Sequence, residues 1–226
     1  MKKLLCFLIF ILSFSSFGQN KENVDIVIQA KSEETSSDYS DLTFEDKESY
    51  YDYEKIFSFD VDVIVNTDSS LEVTETIKVY SKGENISRGI YRTLPIKRNL
   101  NNETFKVKHK IISIKRDGVK DGYHTEKNNE WLKIYIGKED VLLDPGIYTY
   151  EIKYSVKKQI GFFTDYDELY WNATGTEWDF SIDNVEVTVH LPNGADIIQN
   201  ACYTGSFGSN EQNCTSGYTN LASSVS

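Results

Sequence analysis

The sequence is poor in the residues that make chemistry easy to read. It holds three cysteines and three histidines, His109, His124 and His190, in 226 residues, and Cys6 falls within an apolar leader. A closed zinc site is therefore not expected, because such sites need a full set of nitrogen and sulfur ligands. No phosphate-cradling glycine loop, serine elbow or dinucleotide fingerprint occurs, and no cofactor is expected. Prolines number three, so any strand edges must be protected mainly by charge. Beyond the leader no apolar run is long enough for a transmembrane helix. Lysine and arginine are outnumbered 24 to 35 by acids, for a formal charge of −11. A surface of that sign repels phosphate backbones and anionic headgroups, so no nucleic-acid partner is expected. Cationic partners, divalent ions and neutral glycans stay open.

The leader is the clearest positive feature. Lys2 and Lys3 precede an apolar run from Leu4 to Leu12, and Ser16 and Gly18 stand at −3 and −1 of a cut before Gln19. Residues 1–18 are thus predicted to be a secretory signal peptide, and the mature chain to be exported. In an oxidising compartment Cys202 and Cys214 are predicted to pair, the alternative being two buried thiols. Residues 19–53 carry Glu33, Glu34, Asp38, Asp41, Glu45, Asp46, Glu48 and Asp52 among sparse hydrophobics. That composition predicts a disordered acidic spacer, because too little apolar area is available to offset ordering entropy. Residues 54–226 form the remaining domain. The chain stops within what reads as a strand, Leu221 to Ser226, which predicts truncation, with membrane-anchoring segments downstream of Ser226.

From Phe57 the pattern has period two. Phe57, Phe59, Val61, Val63 and Val65 share one face; Asn66 to Ser70 supply a turn; Leu71, Val73, Glu75, Ile77 and Val79 resume the alternation. This is the signature of an antiparallel hairpin. Further strands are predicted at Thr104 to Arg116, Trp131 to Ile136, Ile147 to Val156 and Val185 to Leu191, separated by Asp-Gly, Asp-Pro-Gly and Pro-Asn-Gly turns. Short strands, regular turns and little helical periodicity predict an all-β fold, an immunoglobulin-like antiparallel β-sandwich with little helix.

Glu75 breaks the pattern, since its carboxylate falls in phase with core residues. An ionised carboxylate there must find a cation or take up a proton. Arg88 and Arg92 project to one side of an extended segment and are the candidate partners, making Glu75, Arg88 and Arg92 a structural clamp. The alternative makes Glu75 a catalytic acid or base, but a neighbouring arginine makes a carboxyl a poorer acid. A second dense stretch holds Asp165, Asp167, Glu168, Tyr170, Trp171, Asn172 and Trp178. With Tyr91 these form the candidate binding surface: rings stack on sugar faces while acids and amides bond to hydroxyls. Trp171 and Trp178 suit a core corner as well. An EF-hand does not fit, because Tyr170 stands where the loop needs glycine. No catalytic residue is assigned and the chain is expected not to be an enzyme. It is read as a binding or sensing module for a protein or an envelope glycan, with a carboxylate-based glycan-processing enzyme as the alternative.

Three blocks, Asp68 to Ile77, Arg88 to Pro95, and Leu169 to Asn172 with Gly175 and Trp178, together resemble the YciQ-like family of predicted bacterial membrane proteins, domain-of-unknown-function family 2207. The likeness runs from about Glu54 to the chain end. It implies a signal peptide, an exported β-rich domain, one or more transmembrane helices and a cytoplasmic tail. The acidic spacer departs from that pattern, in which the domain starts soon after the signal.

Overall fold

The structure, a computed structural model, describes residues 9–15, 23–31, 51–100, 103–205 and 209–221. Among these residues the fold is all-β, with no helix. An eight-stranded sheet runs in the order β17 (Cys214–Leu221), β2 (Asn23–Lys31), β15 (Ile182–His190), β3 (Lys55–Val65), β4 (Leu71–Ser81), β12 (Gly146–Val156), β8 (His109–Arg116), β9 (Val119–Lys120). A three-stranded sheet holds β10 (Tyr123–Lys127), β11 (Trp131–Gly137) and β5 (Gly89–Pro95). A four-stranded sheet holds β13 (Ile160–Phe162), β14 (Asp167–Asn172), β1 (Ile9–Ser15) and β16 (Asp196–Tyr203), and β6 (Lys97–Leu100) pairs with β7 (Glu103–Lys106).

The hairpin of β3 and β4 supplies the centre of the core. Phe59, Val63, Leu71, Val73, Ile77 and Val79 are fully buried, joined by Tyr150, Ile152 and Tyr154 of β12. Phe57 is not among them. The ladder between β3 and β4 slips between Ile56 and Ser58, a bulge that turns Ile56 inward and leaves Phe57 half-buried. The predicted strand from Thr104 to Arg116 is likewise two strands. It breaks where Val107 leaves the ladder to donate its N–H to the carbonyl of Ile96. The sheets are not purely antiparallel either, because β15 runs parallel to β3.

Part of the predicted spacer is a strand. β2 lies between β15 and β17, with Ile26 and Ile28 each 1% exposed. Burying such side chains is worth about 1.5–3 kcal/mol each. The alternation of Val24, Ile26, Ile28 and Ala30 therefore outweighs the flanking charges that dominate the segment average. The acidic remainder through residue 50, the predicted cut before Gln19 and the last residues to Ser226 lie outside the described residues.

Cys202 and Cys214 form a disulfide between β16 and β17, and so tie the four-stranded sheet to the eight-stranded one. Replacing both by serine is expected to lower the unfolding free energy by about 3 kcal/mol, from the loop-closure entropy restored to the unfolded chain. Urea denaturation of the oxidised protein beside the double variant checks this; equal midpoints would refute it.

Candidate functional site

β5 begins at Gly89, whose φ of +138° a side chain would rarely adopt and whose Cβ would meet the carbonyl oxygen of Ile136. From there alternation turns Ile90, Arg92 and Leu94 inward. Arg88 precedes this glycine and does not share the phase. It is exposed and donates its Nε–H to the carbonyl of Glu139, so it stands outside any clamp on Glu75.

Arg92 meets Glu75 side-on, with Nε at 2.7 Å from Oε2 and Nη2 at 2.9 Å from Oε1. The hydroxyl of Tyr154 donates to Oε1 at 2.8 Å. The other guanidinium donors go to the carbonyls of Thr174 at 2.9 Å, Ala173 at 3.1 Å and Thr93 at 3.2 Å, and the cation lies over the ring of Phe59 at 5.4 Å. Every N–H of the guanidinium is thus spent. The group is 3% exposed and Glu75 is fully buried. Burial and the Glu75 charge beside it hold the Tyr154 hydroxyl well above its ordinary value, so it stays a donor.

The turn that follows β14 hangs on this network. Asn172 accepts the N–H of Gly175 at 2.9 Å, and the carbonyls of Ala173 and Thr174 face Arg92. At Gly175 the φ is +79° and a Cβ would lie 2.2 Å from Arg92 Nη1, so only glycine allows so close an approach.

Above the turn opens a cleft of about 630 Å³ between β5, β6 and β14. Trp131, Tyr170 and Trp171 give it aromatic surface, Asn99, Gln159 and Asn172 give it amides, and Lys97, Arg98, His109 and Glu168 also line it. The volume falls within the range of ordinary small-molecule sites. His109 is instructive. Its Nε2 lies 2.8 Å from the carbonyl of Pro95 and must donate there, because a carbonyl oxygen only accepts. Burial pushes the imidazole below its ordinary value, against the favourable pull of that carbonyl and of Glu75. The neutral ring then leaves Nδ1 as an acceptor, and Nδ1 is buried without a partner among the described residues. Trp171 Nε1, a donor, is in the same condition. Both rings line the cleft, while these two ring nitrogens themselves are buried.

Of the residues predicted for the binding surface, Glu168, Tyr170, Trp171 and Asn172 line this cleft. Asp167 lies on a separate recess beside Phe162, where burial raises its pKa, and Asp165 sits in the turn before β14. Tyr91 and Trp178 are elsewhere. Trp178 is 6% exposed, donates its indole N–H to Thr174 at 2.7 Å and packs edge-on against Phe59. Tyr91 stacks on it and donates to Asp179 at 3.0 Å, with burial and that carboxylate pushing the phenol up to about 12. Trp131, His109, Lys97, Arg98 and Gln159 were not singled out by sequence. Trp131 carried one usable signal: it opens a strand just after the Asn128-Asn129-Glu130 turn, where a ring reaches the end of a sheet. Among the described residues no group of three or more His, Cys, Asp or Glu side chains could hold a metal ion.

The family described as "Predicted membrane protein (DUF2207) N-terminal domain" matches residues 55–224. The uncharacterized protein YciQ of Escherichia coli (strain K12) is 28% identical over 156 residues, covering 68% of this chain and 25% of its own. The chain therefore spans about a quarter of that relative's length. Among solved structures, leukotriene A4 hydrolase from Saccharomyces cerevisiae aligns at 14% identity with a TM-score of 0.32, covering 46% of this chain and 15% of that one. An M1 zinc metallopeptidase from Deinococcus radiodurans aligns at 10% identity with a TM-score of 0.30, covering 48% and 21%.

Proposed function

Because the chain belongs to the predicted membrane protein family whose N-terminal domain matches residues 55–224, we propose that it is a binding module that holds an envelope glycan in the cleft between β5, β6 and β14. The domain is exported and lies on the extracytoplasmic side of a membrane-associated protein. We read its sheets as the two layers of an immunoglobulin-like sandwich. In support, Arg92 of β5 reaches Glu75 of β4, and Trp178 is wedged between Tyr91 of β5 and Phe59 of β3.

The observation that carries the functional reading is the pairing of aromatic surface from Trp131, Tyr170 and Trp171 with the amides of Asn99, Gln159 and Asn172 at one cleft. A sugar presents apolar ring faces to aromatics, and each hydroxyl both donates and accepts. Binding without turnover is favoured because Glu168 is the one carboxylate among the described residues lining the cleft, whereas glycoside hydrolysis uses a pair. Glu75 has its charge spent on Arg92.

The test is a titration of the purified domain with soluble peptidoglycan fragments and neutral oligosaccharides, followed by tryptophan fluorescence. At least one glycan class is expected to give a saturable change. Trp131→Ala is expected to bind it about tenfold or more weakly, since an aromatic anchor contributes on the order of 2 kcal/mol. A flat response across the panel would refute the glycan reading.

A further inference from the structure

We propose that removal of the leader opens a slot one strand wide between β14 and β16, and that this slot takes an extended segment of a partner polypeptide with a large apolar side chain at the position of Phe14. In the structure the slot is filled by β1, which belongs to the leader. Ile9 to Phe14 pair with Asn172 back to Asp167, and Ile9 to Ser15 pair with Tyr203 back to Asp196, both antiparallel. Phe14 is 5% exposed, and its ring forms one wall of a recess whose other walls include Val65, Ile160, Phe162, Asp167 and Ala195. A cut before Gln19 takes all of this away.

What remains is a gap with fixed walls. Strands that each paired with β1 lie about 9–10 Å apart, two ladder spacings, too far to bond directly. β16 is held in place by the Cys202–Cys214 disulfide to β17 and by the bridge from Thr204 to Glu211. β14 is held by β13 on its far side and, through the carbonyls of Ala173 and Thr174, by Arg92. Two facing rows of unpaired N–H and C=O groups, beside the position that buries Phe14, are complementary to an added strand. The backbone supplies affinity and the buried Phe14 position supplies selection, as in other strand-addition complexes. Left empty, the same edges are a template for unspecific pairing. Phe162, 63% exposed at the recess, gives an incoming apolar side chain further surface to cover. The slot uses the backbone edge of β14 whereas the glycan reading uses its side chains, and either can fail alone.

The experiment uses the exported, processed protein, its N-terminus read by mass spectrometry, and a labelled synthetic peptide carrying residues 9–15 between solubilising lysines. Saturable binding by fluorescence anisotropy is expected, with slowed amide exchange at both β14 and β16. The Phe14→Asp peptide is expected to bind about tenfold or more weakly, because it loses the burial of one aromatic side chain. Four results would overturn the proposal: an exported protein that retains Ile9–Ser15, edges of β14 and β16 already protected without peptide, no saturable binding, or equal binding of the Phe14→Asp peptide.

Discussion

Replacing Arg92 by alanine is expected to cost about 3–5 kcal/mol of folding stability, because it leaves the Glu75 carboxylate buried without its counter-charge. Tyr154 alone would remain as a donor to it. The carbonyls of Thr93, Ala173 and Thr174 would lose their donor as well. Arg92→Lys should recover little, since an ammonium cannot span two carboxylate oxygens and three carbonyls that a planar fork reaches at once. Removing both charges is a different matter. Glu75→Leu combined with Arg92→Met keeps apolar bulk and leaves no unpaired ion, so its loss should fall well below the sum of the single losses. Urea denaturation of wild type, both single variants and the double variant closes the cycle. Additive losses would mean that the two side chains do not act as a unit. A second consequence reaches the cleft: the turn carrying Ala173 to Gly175 is fixed by Arg92, so amide exchange there should quicken in the single variant.

Much of this fold is legible in the sequence wherever one face of a strand is buried, because the period of two then fixes which side chains point inward. The phase of Leu71, Val73, Ile77 and Val79 is enough to turn Glu75 into the core. The same logic fails where the backbone leaves ideal geometry. Neither the bulge at Phe57 nor the glycine conformation at the start of β5, which separates Arg88 from Arg92, changes the spacing of letters in the chain. β2 was hidden for another reason: averaging over an acidic segment buries a nine-residue alternation. The cleft was half legible. Glu168, Tyr170, Trp171 and Asn172 are contiguous, whereas His109, Trp131 and Gln159 reach it from distant strands and loops through pairings that only the sheet order supplies. The parallel contact of β15 with β3 is likewise a matter of tertiary order.

Glu54 is the extreme case of a residue without a local signal, and its removal should be nearly as costly as that of Arg92. It stands at the start of the domain, yet its carboxylate closes the loop between β4 and β5. It accepts the backbone N–H groups of Lys82 at 3.0 Å, Glu84 at 3.1 Å, Asn85 at 2.7 Å and Ile86 at 3.0 Å. Hydrogen bonds to a charged group are worth about 1.5–3 kcal/mol each before overlap is allowed for. Glu54→Gln keeps the shape but turns an amide N–H₂ toward the N–H groups of the loop, and a loss of about 3 kcal/mol at neutral pH is expected. The pH dependence follows from the same geometry. Burial works against the ionised form, but the backbone donors of Ile86, Lys82, Asn85 and Glu84 outweigh it and lower the pKa in the folded state. A carboxyl with a folded pKa below its unfolded one contributes its full stabilisation above the ordinary glutamate value of about 4.3, and loses it as pH falls through the lower folded value. The gap in unfolding free energy between wild type and Glu54→Gln should therefore be widest near pH 7 and narrow steadily in acid. Urea titrations of both proteins across that range measure it directly, and a gap that stays constant would mean that the loop does not depend on the charge.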